Sequence, residues 1–521
     1  LILARFDRLD QAERRLLQVA SIIGQNFSLP LLQKVLQPSD TAPFHAALAL
    51  LVEREFIVPQ AEAAEREYAF RHALVSDAIY GTLLRRDRTE LHGQVGEAME
   101  TLYAGQLDGQ VELLASHYQH SPRLNRALHY LLLAGQKSAR GYANAQAQQY
   151  YEQALALLPQ VAHELSQTLQ AHTGLGDVML LTGDYPAARA YYETALEAIS
   201  AEETPVYSSE RSALQRKAGM TFEAQGSYDE ALLCLEAAQG TLEKTPGHLP
   251  VERARIFNDI GWILFRRGNL EEAERYLRQA LALVKDLPYY DIIASIYNRL
   301  GGVAYKQDDL DQASRDVGKS LALRQEIGDI VGVARLHNNL GLLDYTRGEW
   351  DSALEHYKQN LELQTRLGDA EALAFSHLNL AVLQIDRGDL DEAQANLERS
   401  LEASRQIGAQ FHIAAAQTHF GRLWLIRQEW ERGLQHLEES FRIFTDIGAQ
   451  ENLVDVYHLV GEVNFGLGNL PGAANWAQRS IDLIMQMGSR VLGKSEEHGR
   501  ALRLLGRVAL AEGDWAAAGQ Q

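Results

Sequence analysis

The sequence predicts an all-α protein, a right-handed α-solenoid of about ten helix hairpins with a small separate domain in front of it, on the strength of three observations. A small residue recurs in the middle of an apolar stretch at Gly135, Gly176, Gly219, Gly261, Gly301, Gly341, Ala381, Gly421, Gly461 and Gly506, and the six from Gly261 to Gly461 are spaced by 40. A second small residue follows each anchor after 12 positions, at Ala147, Ala188, Ala231, Ala273, Ala313, Ala353, Ala393, Gly433, Ala473 and Ala518. Turn-forming residues stand between the two. Pairs of helices that approach closely where both side chains are small, joined by a tight turn, account for all three.

Residues 1–90 are read as the separate domain. Asp10 to Ile23 is amphipathic, with Ala12, Leu16, Leu17, Val19, Ala20 and Ile23 at its apolar positions, and Leu29 to Leu36 and Phe44 to Val52 read as two further helices. Phe56-Ile57-Val58 and Tyr68-Ala69-Phe70 are β-prone runs around a polar stretch, which predicts a hairpin. Three helices and a hairpin make a winged helix. Leu3-Ala4-Arg5-Phe6-Asp7-Arg8-Leu9 and Tyr68-Ala69-Phe70-Arg71-His72-Ala73-Leu74-Val75, followed by Ala78-Ile79-Tyr80 and Leu91-His92, resemble the winged-helix end of bacterial signal-transduction ATPases of the STAND/AAA type, over about residues 1–118. In that family an ATPase module precedes this domain and a repeat array follows. The resemblance implies that the chain is the regulatory region of such a protein, with the ATPase module upstream. It also implies a nucleotide-sensing role for His72, through the bound phosphate, in the full-length protein; a structural histidine after a strand is the alternative. A winged helix invites DNA binding through Arg85, Arg86 and Arg88. Yet residues 1–100 carry 11 Lys/Arg against 14 Asp/Glu, so no electrostatic footprint supports it.

Residues 91–122 are read as connecting helices and 123–521 as the solenoid. Seven residues after most anchors stands a glycine, as at Gly183, Gly226, Gly268, Gly348, Gly388, Gly468 and Gly513, followed by an N-cap type such as Asp184, Ser227, Asn269, Asp389 or Asn469. Each motif stops one helix and starts the next. A second periodic glycine, Gly328, Gly368, Gly408, Gly448 and Gly488, ends the second helix. Large residues nine after the anchor (Tyr185, Tyr228, Leu270, Leu310, Trp350, Leu390, Trp430, Leu470 and Trp515) are expected to be buried wedges. The run Leu340-Gly341-Leu342-Leu343-Asp344-Tyr345-Thr346-Arg347-Gly348-Glu349-Trp350-Asp351-Ser352-Ala353 resembles the tetratricopeptide repeat. The period of 40 is similar to the variant found in kinesin light chains and peptide-binding polarity scaffolds, and the resemblance covers about residues 120–521, with the last repeat truncated. No polar capping helix follows Ala518, so the native chain is expected to continue.

Composition narrows the function. A formal charge of −20 opposes nucleic acid and anionic membranes, and the single cysteine, Cys234, points to a reducing, cytoplasmic home. No run of about 18 apolar residues is present to span a membrane. Gly488-Ser489-Arg490-Val491-Leu492-Gly493-Lys494-Ser495 spells a P-loop, but its first glycine is the periodic helix terminator and no strand precedes it. No metal-ligating helix pattern and no nucleophile elbow occurs. His117 and His120 read as ordinary surface. The expectation is a protein with no catalytic residues, no metal and no cofactor.

In tetratricopeptide proteins the first helix of each pair lines the inner, concave surface, and three residues before the anchor falls on that face. Asn258, Asn298 and Asn338 stand there, with Asn339 and Asn379 one residue on. An asparagine amide both donates and accepts, so such a ladder can hold an extended peptide by its backbone; crosslinking neighbouring helices is the alternative. Arg255, Arg266, Tyr305, Lys306, Arg335 and Tyr345 fall on the same stripe, and the cations among them favour an acidic partner. The expected function is a sensor or regulatory arm of a signal-transduction ATPase that binds a protein, a peptide or a small effector. The alternative is a stand-alone scaffold that recruits its partner independently of nucleotide.

Overall fold

The computed structural model describes residues 2–38, 40–60, 67–201, 207–244, 249–487 and 494–520. The chain divides into two compact units, Leu1–Ile263 and Leu264–Gln521.

The first unit opens with α1 (Ile2–Phe6), α2 (Gln11–Ile23), β1 (Asn26–Ser28), α3 (Leu29–Leu36), α4 (Thr41–Glu53), β2 (Ile57–Pro59), β3 (Glu67–Phe70) and α5 (Ala73–Thr82). Asp10 and Glu13 close a capping box at the start of α2, and the buried Glu13 also takes Arg54 at 2.9 Å. The predicted hairpin pairs Ile57 with Phe70 in antiparallel register, and β1 adds to the other edge of β3. β1 has three residues, too few to show an alternation in the sequence. Leu17, Leu32, Leu51, Ile57 and Ile79 make the fully buried centre of this segment.

Next come α6 (Arg85–Leu102) and α7 (Val111–Gln119). Here the reading of His117 as surface is corrected: it is 5% exposed, its Nδ1 lies 3.0 Å from Nδ1 of His92, and the Tyr80 hydroxyl lies 3.2 Å from His92 Nε2. Burial pushes His92 down to about 3 and His117 down to about 4, so both are neutral at pH 7. The hairpins then begin. α8 (Leu124–Arg140) pairs with α9 (Asn144–Leu157), α10 (Leu165–Leu181) with α11 (Tyr185–Ala201), and α12 (Ser208–Ala224) with α13 (Tyr228–Glu243). α14 (Pro250–Arg266) follows, its last turn in the second unit.

The second unit continues with α15 (Leu270–Val284) and then repeats one hairpin. Its pairs are α16 (Tyr290–Lys306) with α17 (Leu310–Glu326), α18 (Ile330–Arg347) with α19 (Trp350–Leu367), and α20 (Ala370–Arg387) with α21 (Leu390–Gln406). Then come α22 (Gln410–Ile426) with α23 (Trp430–Asp446), α24 (Gln450–Gly466) with α25 (Leu470–Met487), and α26 (Lys494–Glu512) with α27 (Trp515–Gln520). Consecutive hairpins of this kind are an α-solenoid, and among the described residues every strand precedes residue 71.

The anchors act as the sequence predicts. A Cβ on Gly301 would lie 2.6 Å from Val317 and 3.2 Å from the carbonyl of Ala313; on Gly341, 2.7 Å from the Tyr357 ring; on Gly421, 2.4 Å from Leu437. No side chain fits between the two helices there. The far end of each hairpin carries a tie that sequence reading missed. Ser320, Ser400 and Ser440, all fully buried, donate to the carbonyls of Ala294, Ala374 and Ala414 at 2.7–2.9 Å, and Asn360 does the same to Ala334. One buried side-chain donor, a serine hydroxyl or the Asn360 amide, thus satisfies a first-helix carbonyl in each of these four hairpins.

Gly348 and Gly388 turn with φ of +78° and +85°, as predicted for helix terminators. Where the sequence lacks that glycine the backbone still adopts the left-handed turn, at Asp308 (φ 65°) and Gln428 (φ 61°). The expected wedges need correcting. Trp350 is 40% and Trp515 75% exposed, and the other seven are only half-buried. They begin the second helix at the rim of the hairpin and are covered on one side; Trp430 leans on Gly466 of the next first helix, where a Cβ would come within 2.7 Å of its ring. Residues 488–493 of the P-loop-like stretch lie outside the described residues.

Candidate functional site

In the second unit α20 touches α22, α22 touches α24 and α24 touches α26, so the first helices form the closer-packed, inner side of the stack. Lys306 ends α16 and is exposed, its ammonium held somewhat below its ordinary range by partial desolvation against the opposing field of Glu451 on α24.

The asparagines lie on this face as rungs between neighbouring hairpins. Asn339 Nδ2 donates to Asn298 Oδ1 at 3.0 Å, and Asn379 Nδ2 donates to Asn338 Oδ1 at 2.6 Å. All four are half-buried, and each rung uses one donor and one acceptor. Among the described residues, the amide nitrogens of Asn298 and Asn338 and the amide oxygens of Asn339 and Asn379 have no hydrogen-bond partner. Tyr345 donates to Asp386 Oδ2 at 2.5 Å, and Arg422 pairs with the other oxygen of that carboxylate. Burial, with the bond to Asp386, pushes the Tyr345 hydroxyl up to about 12. Tyr305 is half-buried, while Lys306, Arg335 and Arg266 are exposed. Arg335 has no ion-pair partner among the described residues.

Asn258 and Arg255 belong to the first unit. Asn258 is buried, Arg255 pairs with Glu252 at 3.6 Å, and the adjacent Asp259 holds Arg216 at 2.8 Å. His72 is exposed at the start of α5 and makes no side-chain capping bond there.

The residues that sequence reading missed stand at the same register further along. Three before the anchor, where Asn298 and Asn338 stand, the chain places His458 and Arg503; two before it, where Asn339 and Asn379 stand, it places His419. The signal was the offset itself, followed past the last asparagine. His458 and Arg503, with Arg422, Arg500, Arg507, Asp455, Glu462 and Glu497, line a cleft of about 580 Å³ between α22, α24 and α26. A smaller hollow of about 240 Å³ shares Asp455 and Glu497 with it and adds Glu451, Asn452, Thr418 and His419. Most of the charge is internally paired: Arg507 with Glu462 at 2.7 Å, Arg500 with Glu497 at 3.1 Å, and Arg422 with Asp386. Burial, aided by Arg422, pushes His419 down to about 4 against Asp455 and Asp386, and burial lowers His458 against Glu462 and Asp455. Nδ1 of each ring is buried with no hydrogen-bond partner among the described residues. Among the described residues no group of three or more His, Cys, Asp or Glu is placed to hold a metal ion, and no helix is long and apolar enough to cross a membrane.

The tetratricopeptide-repeat profile matches residues 210–286, 292–359 and 332–406, and a second profile of the same repeat matches 143–203 and 258–324. These segments are tetratricopeptide repeats. An uncharacterized protein of Rhizobium meliloti (strain 1021) is 28% identical over 189 residues, which is 35% of this chain and 18% of that relative's length. Among solved structures, the chain is similar to a signal-transduction ATPase with numerous domains (STAND) carrying a tetratricopeptide-repeat sensor from Pyrococcus horikoshii, at 13% identity and TM-score 0.47, covering 99% of this chain and 65% of that one. A Rap protein complexed with competence and sporulation factor is 14% identical with TM-score 0.49, covering 71% of this chain and 99% of that one. The apo quorum sensor NprR of B. thuringiensis is 15% identical with TM-score 0.49, covering 68% and 97%.

Proposed function

We propose that the chain is a non-catalytic binding arm that holds a protein or peptide partner, acidic in character, against the first helices of the second unit, and that it serves as the sensor or regulatory region of a signal-transduction ATPase. The observation that carries the binding reading is the asparagine rungs. Each rung spends half of its hydrogen-bonding capacity on its neighbour and keeps a donor and an acceptor for a ligand backbone, at a spacing set by the repeat. The exposed Arg335 and Lys306 give the same face positive charge in a chain of net charge −20, which favours an acidic partner. The repeats themselves support a protein-binding role. The regulatory reading rests on the residues around Tyr68 to His92 that resemble the end of signalling ATPases; in it, His72 contacts the nucleotide phosphate of the full-length protein. A scaffold that recruits its partner without nucleotide is the second reading.

The test is a random dodecapeptide phage library panned on the chain, each recovered peptide being titrated against wild type, the double variant Asn298→Ala/Asn338→Ala, and Arg335→Glu. Two hydrogen bonds at about 0.5–1.5 kcal/mol each predict a loss of about five- to 150-fold in the double variant. Arg335→Glu should weaken acidic peptides further and flatten their salt dependence. Affinities equal to wild type in both variants would place the ligand elsewhere. In the full-length protein, partner-stimulated ATP hydrolysis favours the regulatory reading, and hydrolysis indifferent to partner favours the scaffold.

A further inference from the structure

We infer that the cleft between α22, α24 and α26 captures a dipolar group, an ammonium and a carboxylate carried by one small ligand, as in an amino acid or a short peptide with free termini. The inference rests on the reading of the inner face as the binding surface and names the chemistry at its C-terminal end.

The two hollows that share Asp455 and Glu497 differ in sign. Among the described residues the smaller is lined by Glu451, Asp455 and Glu497 with no lysine or arginine, and the larger gathers four arginines. After the internal ion pairs are counted, two charges of opposite sign are left over in the larger cleft. Arg503 and Asp455 both line it, yet among the described residues neither makes an ion pair, with the other or with any third group. Opposite charges in one cleft that do not close on each other leave room for a ligand of the reverse polarity between them, its ammonium toward Asp455 and its carboxylate toward Arg503. Asp455 is half-buried where it lines the cleft. Histidine stands in both places, His419 lining the acidic hollow and His458 the basic cleft, and Nδ1 of each ring is buried without a partner among the described residues. The cleft volume of about 580 Å³ is ordinary for a small-molecule site, which spans about 300–1,000 Å³.

The experiment incubates the chain with a pool of randomised tetrapeptides bearing free termini, the same pool N-acetylated, the same pool C-amidated, and a mixture of free amino acids. Retained ligand is read by affinity-selection mass spectrometry. The inference expects retention from the free pool about tenfold or more above either capped pool. Asp455→Asn should abolish discrimination against the acetylated pool, and Arg503→Gln should abolish discrimination against the amidated pool. Amino acids displacing the tetrapeptides would assign the site to a single zwitterion, and the reverse would assign it to a peptide end. Capped pools retained as well as the free one, no retention from any pool, or discrimination untouched by both variants would each overturn the inference. If library peptides meanwhile still depend on Asn298 and Asn338, the groove reading survives and only the dipolar site falls.

Discussion

The stretch from α16 to α20 and the stretch from α22 to α26 share one hairpin geometry and present opposite kinds of surface. In the first, four of the six positions two and three before the anchor hold asparagines that bond to each other across hairpins, Arg299 and Leu378 holding the other two. In the second, those positions include His419, His458 and Arg503 beside Thr418, Leu459 and Leu504; His458 and Arg503 line the charged cleft and His419 the hollow next to it, with ring nitrogens and an arginine left unpaired among the described residues. The repeat decides where a side chain stands. Residue type at that place decides whether it ties the solenoid together, faces a ligand, or does both, and a repeat protein can therefore change its ligand chemistry from hairpin to hairpin without changing its fold.

The shared frame is tested hardest at the anchors. A Cβ on Gly341 would stand 2.7 Å from the Tyr357 ring, and one on Gly461 would stand 2.7 Å from Leu504. Gly341→Val and Gly461→Val should each cost about 1–3 kcal/mol by overpacking, read as a fall in the thermal midpoint. A large loss in one stretch and none in the other would break the claim of a common frame.

Acid comes next. His419 has its folded pKa depressed from 6.5 to about 4, so between those values the unfolded chain binds more protons than the folded one. Its contribution is complete above pH 6.5 and is lost as pH falls toward 4. Replacing it with the residue of the asparagine stretch, His419→Asn, should flatten the decline of the urea midpoint over that window relative to wild type. An unchanged slope would show that burial of this ring does not govern acid sensitivity there.

A smaller effect separates the two stretches directly. Asn338→Ala removes the 2.6 Å bond to Asn379 and should lower stability by about 0.5–1.5 kcal/mol, whereas the exposed, unpaired Arg503→Gln should shift it by less than about 0.5 kcal/mol. Equal melting of the two variants would mean that the rung carries no structural load. Smallest is the turn. Gln428 at φ 61° holds a conformation that suits glycine, so Gln428→Gly should stabilise the chain by up to about 1 kcal/mol in the same melt, and Asp308→Gly likewise.

Much of this architecture was legible because the repeat writes it ten times. The interval of 40, the offset of 12 and the terminating glycines are each imposed by close backbone approach or by a left-handed turn, requirements that small residues meet at the least cost. They determine the hairpins, their order, and the stripe on which Asn298, Asn338, His458 and Arg503 stand. The sequence could not say that Asn339 reaches Asn298, that Tyr345 reaches Asp386, or that His117 meets His92 in a buried pair. These bonds join residues 25 to 41 positions apart, and their lengths depend on how one hairpin leans on the next. Nor could it say that the wedge residues, apolar and periodic, would stay half-exposed at the rim, because periodicity places a residue on a helix face and neighbours decide how much of it is covered. The cleft is the clearest case. His458 and Arg503 were at the right offset from the start, but whether four arginines close on three carboxylates or leave one charge of each sign unpaired is settled by distances between helices, which only the tertiary structure decides.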